Sequence, residues 1–255
     1  MMAEGARHAV VTGGGSGIGL AISRELAAMG CAVTLMGRNA QRLEAAATEL
    51  PGAGVQPCDV ADAQSVAGAF ARAAERAGPV AILVNNAGVV KTASFEKQSD
   101  ADWDEMWRTN LMGAVNTTRQ VIGPMKALPE GGRIVNIAST AALKGYGYVS
   151  AYVASKHALL GLTRALALEL AETRVTVNAI CPGYADTQII TEAVDRLVSK
   201  TGRSPEQAQA AFTRANPQGR LIAPAEVAAA VRWLVAEEAR SVTGQAIAIA
   251  GGEVM

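Results

Sequence analysis

Val10-Val-Thr-Gly13-Gly-Gly-Ser-Gly17-Ile-Gly19-Leu20 runs from an apolar strand through a glycine turn into the start of a helix. Glycine opens positive φ to the backbone and lets another group approach it closely. The helix start offers free N–H groups and the positive end of the macrodipole, a receptor for phosphate. Gly13, Gly17 and Gly19 are spaced as GxxxGxG rather than GxGxxG. Such a loop alone says little. Between the first strand and first helix of an alternating chain it says much more, so the flanking pattern decides its meaning.

Apolar runs at His8–Thr12, Ala32–Gly37, Val55–Cys58, Ala81–Asn85, Arg133–Ala138, Arg174–Ile180 and Gln245–Ala250 read as strands. Between them, Ile18–Met29, Ala40–Leu50, Ala63–Ala77, Ser99–Ala127, Ser150–Ala171 and Pro224–Glu237 read as helices. Apolar runs without strict alternation indicate strands covered on both faces. Strand–helix alternation at this spacing predicts an α/β fold with a doubly wound parallel sheet of about seven strands and right-handed crossovers. No linker, repeat or low-complexity tract divides residues 1–255, which read as a single domain. The irregular stretch is 184–222, polar and carrying Thr201-Gly-Arg-Ser-Pro205. Ligands of open α/β sheets bind beyond the carboxyl ends of the strands. An insertion there predicts a small helical substrate lid; a surface excursion touching no ligand is the alternative.

Composition removes several classes. The 255 residues are 50% hydrophobic, and 23 basic side chains balance 23 acidic ones. With no basic stripe and 4% aromatic content, nucleic acid is not an expected partner. Met1–His8 lacks an apolar core for a signal peptide, and no stretch approaches ~18 apolar residues, so neither export nor a membrane span is expected. Cys31, Cys58 and Cys181 are widely spaced and read as buried free thiols, which suits a reducing cytoplasm. His8 and His157, the two histidines, match no metal-ligand spacing, and no metal is expected.

The chemistry-bearing pair is Tyr152 and Lys156, in Ser150-Ala-Tyr-Val-Ala-Ser-Lys156. On a helix, an i, i+4 pair shares one face, separated by ~6 Å of rise. A nearby ammonium favours phenolate, so Lys156 is expected to lower the Tyr152 pKa. Any helix can carry such a pair; its place just after the apolar run ending at Ser139 makes it a candidate acid/base. Near the glycine loop, the chain has no carboxylate between Glu25 and Glu44 to receive a ribose 2′-hydroxyl; it has Arg38 instead. An arginine there can stack on adenine and pair with a 2′-phosphate, which favours NADP(H) over NAD(H). Arg38 also reads as a solvated loop residue, with NAD held by other contacts. Asp59, followed by Val60, either accepts from an adenine amino group or caps the next helix. Asn85-Asn86-Ala87-Gly88 permits close approach of a ligand to the backbone, and its amides can tie neighbouring strands together.

In order along the chain, Thr12-Gly13-x3-Gly17-x-Gly19, Asn85-Asn-Ala-Gly88, Asn110, Ser139, Tyr152-x3-Lys156 and Pro182-Gly183 resemble the short-chain dehydrogenase/reductase family, in its compact single-domain branch. The resemblance implies a Rossmann-type sheet, a nicotinamide cofactor and an Asn110, Ser139, Tyr152, Lys156 catalytic group. Tyr152 would exchange a proton with the carbonyl or hydroxyl oxygen, Ser139 would bind the same oxygen, and Lys156 would also bind the nicotinamide ribose. Asn110 would hold a water in a relay from Lys156. Gly13, Ser16, Gly17, Ile18, Gly19, Arg38, Asp59, Val60, Asn86, Ala87, Gly88, Tyr152, Lys156, Pro182, Gly183 and Thr187 would contact the cofactor; Thr187 would bind the carboxamide or merely cap a lid helix. The resemblance further implies a homotetramer, or less often a dimer, built on the helices holding Asn110 and Tyr152.

The implied activity is interconversion of a ketone and a secondary alcohol. The lean is toward 3-oxoacyl thioesters, with cyclic, aromatic, steroid, polyol and polyketide substrates as alternatives. A low-turnover cofactor-binding subunit or redox sensor is the alternative of another class. Val149 stands where related enoyl reductases have their Tyr, which disfavours double-bond reduction. Tyr148 reads as lying on the Tyr152 helix face but ~12 Å from Lys156. Lys144, in a segment expected to border the pocket, meets an anionic substrate or solvent. The tail Gly251-Gly-Glu-Val-Met255 reaches a neighbouring subunit or ends at the surface.

Overall fold

The computed structural model describes residues 6–255. The part of the N-terminal reading that concerns residues 1–5 lies outside them. Strands β1 (His8–Thr12), β2 (Ala32–Gly37), β3 (Gly54–Pro57), β4 (Val80–Asn85), β5 (Arg133–Ile137), β6 (Thr176–Pro182) and β7 (Ala246–Ile249) form one sheet in the order β3-β2-β1-β4-β5-β6-β7. Every pairing is parallel. The order reverses between β1 and β4, so the crevice of a doubly wound sheet opens at their carboxyl ends.

Helices α1 (Gly17–Ala28), α2 (Ala40–Thr48), α3 (Ala63–Ala77), α4 (Asp100–Trp107), α5 (Gly113–Ala127), α6 (Ser150–Glu169), α7 (Gln188–Thr201), α8 (Pro205–Thr213) and α9 (Pro224–Val235) surround it. On one face Ile22, Leu26, Leu43, Val227 and Val231 pack against Val11, Leu35, Val84 and Ile180. On the other, Val66, Phe70, Val121, Met125 and Ala167 pack against Val10, Met36, Leu83 and Ile134. Val10 and Val11 thus serve opposite layers, as the two-residue period of a strand requires. Each of the Val, Leu, Ile, Met and Phe side chains buried here contributes about 1.5–3 kcal/mol. Among the described residues no helix is long and apolar enough to cross a membrane.

Two sequence expectations change, over Ser99–Ala127 and at Tyr148, while the irregular stretch is helical as expected. The helix read over Ser99–Ala127 is two helices joined by a π-helical segment, Arg108–Met112. A π turn is a single-turn insertion within an α-helix, too short for period counting over the whole segment to resolve. Segment 184–222 holds α7 and α8, and its base is clasped by an Ala185–Ile222 bridge with Asp186 N–H donating to Ile222 O at 2.9 Å. Tyr148 lies outside α6, with φ at 66° and 67% exposure. A bulky residue there carries backbone strain.

Candidate active site

The glycine turn packs as a cradle. Gly13 has φ at 64°, and a Cβ on Gly19 would fall 2.2 Å from Gly13 O. Behind it, Thr12 Oγ1 accepts from the N–H groups of Asn86 and Ala87 at 3.0 Å, and Asn86 Nδ2 donates to Thr12 O at 2.9 Å. Asn85 Nδ2 donates to Asn136 Oδ1 on β5 at 2.9 Å, so the amide pair does stitch adjacent strands.

Two cavities open here. The smaller, about 370 Å³, is bordered by Gly13, Ser16, Gly17, Arg38, Asp59, Val60, Ala87 and Gly88. Arg42 shares it and was missed from sequence; its signal was a second arginine in the first turn after Asn39, whose side chain accepts from the Arg42 N–H at 2.9 Å. Two guanidinium groups around an open space beside a helix N-terminus fit an adenosine carrying a 2′-phosphate. Asp59 does not cap α3; it accepts from Ala61 N–H at 3.0 Å, while Asp62 caps the helix through Gln64 N–H at 2.8 Å.

The larger cavity, about 970 Å³, is bordered by Gly13, Ser16, Gly17, Ile18, Gly19, Asn86, Ala87, Gly88, Ser139, Tyr152, Lys156, Pro182, Gly183 and Thr187. Thr187 occupies the cap position of α7 without a side-chain capping bond, so the capping alternative fails. Ser139 follows β5 in extended geometry, its Oγ accepting from Ala141 N–H at 3.1 Å. Lys156 is 4% exposed, donates to Ile137 O at 2.9 Å, and lies 5.7 Å from the centroid of the Tyr152 ring. Burial brings its pKa down to about 8.

Tyr152 departs from expectation. Burial pushes its phenol up, against the lowering effect of a hydrogen bond with Ser139. Lys156 makes its short contact with the Ile137 carbonyl at 2.9 Å rather than with the phenol oxygen. A phenol of ordinary pKa, about 10, is already neutral at pH 7, the protonation state of a donor, and the upward direction keeps it so.

Asn110 sits in the π segment and borders neither cavity. Its Oδ1 accepts from Val89 N–H at 2.8 Å, and its Nδ2 donates to Val89 O and Ser155 Oγ at 3.0 Å. These bonds fix the strand end beside Gly88 to α6, one residue from Lys156. The contacts make it a positioning residue.

Lys144, with its side chain 38% exposed, pairs with Glu253 at 3.1 Å and lies 5.0 Å from the Tyr146 ring centroid. The tail folds onto its own chain. Tyr184 and Phe212 border the larger cavity and were not singled out from sequence, because nothing local in 184–222 says which side chains face inward. Cys31, Cys58 and Cys181 are free thiols.

A crevice at the strand switch, with Ser, Tyr and Lys on one wall and a glycine cradle on another, defines an oxidoreductase of the nucleotide-binding α/β class. The short chain dehydrogenase family model matches residues 7–197, and the chain belongs to that family. It is 42% identical to the granaticin polyketide synthase putative ketoacyl reductase 1 of Streptomyces violaceoruber, covering 96% of this chain and 92% of that one. It is 39% identical to a putative ketoacyl reductase of Streptomyces coelicolor, covering 99% and 98%. Among solved structures, an actinorhodin polyketide ketoreductase variant with NADPH superposes with a TM-score of 0.94 at 38% identity, over 99% of both chains.

Proposed function

We propose that the protein is an NADP(H)-dependent reductase of 3-oxoacyl thioesters, with residues 184–222 closing over the substrate as a lid. The observation carrying this reading is the convergence of Ser139, Tyr152 and Lys156 on one cavity wall, continuous with the glycine cradle and the Arg38–Arg42 pair. The ketoacyl reductase relatives and the NADPH-containing neighbour support it. Gly13 through Gly19 would hold the pyrophosphate, Arg38 and Arg42 the 2′-phosphate, and Asp59 with Val60 the adenine edge. Asn86, Ala87, Gly88, Pro182, Gly183 and Thr187 would frame the nicotinamide. A nicotinamide held there would supply the hydride for the ketone carbon.

The chain's own part is proton delivery and orientation. The ketone oxygen sits between the Ser139 and Tyr152 hydroxyls; Ser139 stabilises developing charge and Tyr152 gives up its proton. A tyrosine phenol titrates at about 10 and burial shifts Tyr152 further up, so reduction starts with the proton in place. Lys156, mostly an ammonium at pH 7, holds the ribose and favours the phenolate left behind. Asn110 positions this wall, and a water beside it would return the proton through Lys156. The same reading includes a reducing compartment and assembly into a homotetramer. The test is NADPH oxidation with acetoacetyl-CoA. Turnover with a more than tenfold preference for NADPH over NADH supports the reading; no turnover of any 3-oxoacyl thioester sinks it.

A further inference from the structure

The C-terminal tail turns at Gly251 and Gly252, with φ at 60° and 92°, and drives Glu253 behind the wall of the larger cavity. The Glu253 side chain is 1% exposed. Its Oε1 accepts from the Tyr146 hydroxyl and pairs with Lys144 at 3.1 Å. Its Oε2 is buried without a partner, and a Cβ on Gly183 would meet it at 3.0 Å. Tyr146 and Thr140 are joined at 2.6 Å. Since the Tyr146 proton goes to the carboxylate, Thr140, next to Ser139, is the donor in that bond. The Tyr146 ring meets Tyr184 edge-on at 6.4 Å, and Tyr184 meets Phe212 of α8 at 5.4 Å. All three rings border the cavity.

A buried carboxylate is costly unless it is paired and hydrogen-bonded. Here its partners are a lysine from the Ser139 loop and the phenol that starts the aromatic wall. We propose that Glu253 is a positioning residue for substrate selectivity: it locks Tyr146, and through it Tyr184 and Phe212, so that the cavity admits narrow ketones and rejects wide ones. This rests on the reading of the cavity as a ketone site. Lys144 neutralises the carboxylate, so the lock depends on the tail and not on a bound anion.

The test compares kcat/KM for cyclohexanone and 4-tert-butylcyclohexanone, which share their chemistry and differ in width. Glu253→Ala raises the wide-to-narrow ratio about tenfold, the scale of steric discrimination by an apolar pocket, and leaves kcat for cyclohexanone within about twofold. Glu253→Gln, which still accepts from Tyr146, falls between. Tyr146→Phe produces the same rise, and the double variant adds nothing to it, because both act through one bond. A ratio unchanged in Glu253→Ala, or effects that multiply in the double variant, overturns the proposal. If Glu253→Ala does not fold, Glu253→Gln and Tyr146→Phe carry the same comparison. Should the unmodified protein reduce no ketone, the functional reading fails separately, and carboxypeptidase digestion still examines the lock. Trimming that halts before Glu253 in the unmodified protein and passes it in Tyr146→Phe supports the lock; equal trimming in both overturns it.

Discussion

Buried and half-buried polar side chains cluster at both ends of the sheet, and the two clusters differ in where their hydrogen bonds go. At the amino end, Arg7 donates to Val235 O at 2.7 Å, and Arg133 to Gly132 O at 3.0 Å, Arg174 O at 3.1 Å and Glu237 at 3.1 Å. His8 bridges Gly78 O at 2.8 Å and Thr34 Oγ1 at 2.9 Å. Among the described residues, the Nε atoms of the two arginines are the buried side-chain atoms there without partners. At the carboxyl end, Ser139, Tyr152, Lys156 and Thr187 border a cavity of about 970 Å³. Burial and shifted titration are common to both ends, so neither marks an active site by itself. Hydrogen-bonding capacity aimed at open space does.

The sharpest way to break this contrast is to remove one hydroxyl at the carboxyl end. Tyr152→Phe should lower kcat for ketone reduction about a thousandfold or more, since a positioned acid contributes 10²–10⁴. NADPH affinity by fluorescence titration and the melting temperature should stay near their original values. If more than a tenth of the turnover persists, Tyr152 is not the donor. At the amino end the pattern should invert. Arg133, with 3% side-chain exposure, ties three elements together. Arg133→Ala should cost about 2–3 kcal/mol by leaving carbonyls unpaired and a void behind. That lowers the melting temperature by roughly 5–10 °C, while kcat/KM at 25 °C moves by less than about twofold. An Arg133 variant with normal stability and crippled turnover would erase the distinction between the ends.

What was legible in the sequence followed the same division. The Gly13–Gly19 turn and the Tyr152–Lys156 pair are local: positive φ and an i, i+4 helical spacing are fixed by residues a few positions apart. The parallel sheet was legible because both faces of its strands are apolar. The direction of the Tyr152 shift was not, because desolvation is the sum of what distant elements place around the phenol. The π segment was hidden because it spans a single turn within a longer helical stretch. Glu253 was hidden by sequence distance, since its partners Lys144 and Tyr146 lie more than a hundred residues upstream. A helical lid was expected over 184–222, but which of its side chains face the cavity was hidden, because α7 buries no side chain fully and leaves no core-facing stripe for a period to reveal.

A smaller effect sharpens the carboxyl-end assignment within itself. Arg38→Ala and Arg42→Ala should each raise the KM for NADPH about tenfold, the loss expected for one charge-assisted contact. The KM for NADH should move by less than about threefold, because no 2′-phosphate is there to lose. If both coenzymes weaken equally, the arginines support the loop and do not read the phosphate.

The smallest expected effect belongs to His8, and its sign makes it useful. The ring is 2% exposed, and burial lowers its pKa from the ordinary value of 6.5, with Arg76 acting in the same direction and the bond to Gly78 O opposing both. Above the unfolded value both states are neutral and the group contributes no pH slope. As pH falls through about 6.5, the unfolded chain takes up a proton that the folded chain resists, so stability falls until the folded value is passed. Denaturant titrations of the unmodified protein and of His8→Gln from pH 7.5 to 5 should therefore converge. The unmodified protein's stability relative to the variant shrinks with acid, while both turn over ketone alike at pH 7. A widening gap in acid would mean His8 is stabilised in its charged form. The amino end would then hold a charge in search of a partner, which is the property the comparison reserves for the other end of the sheet.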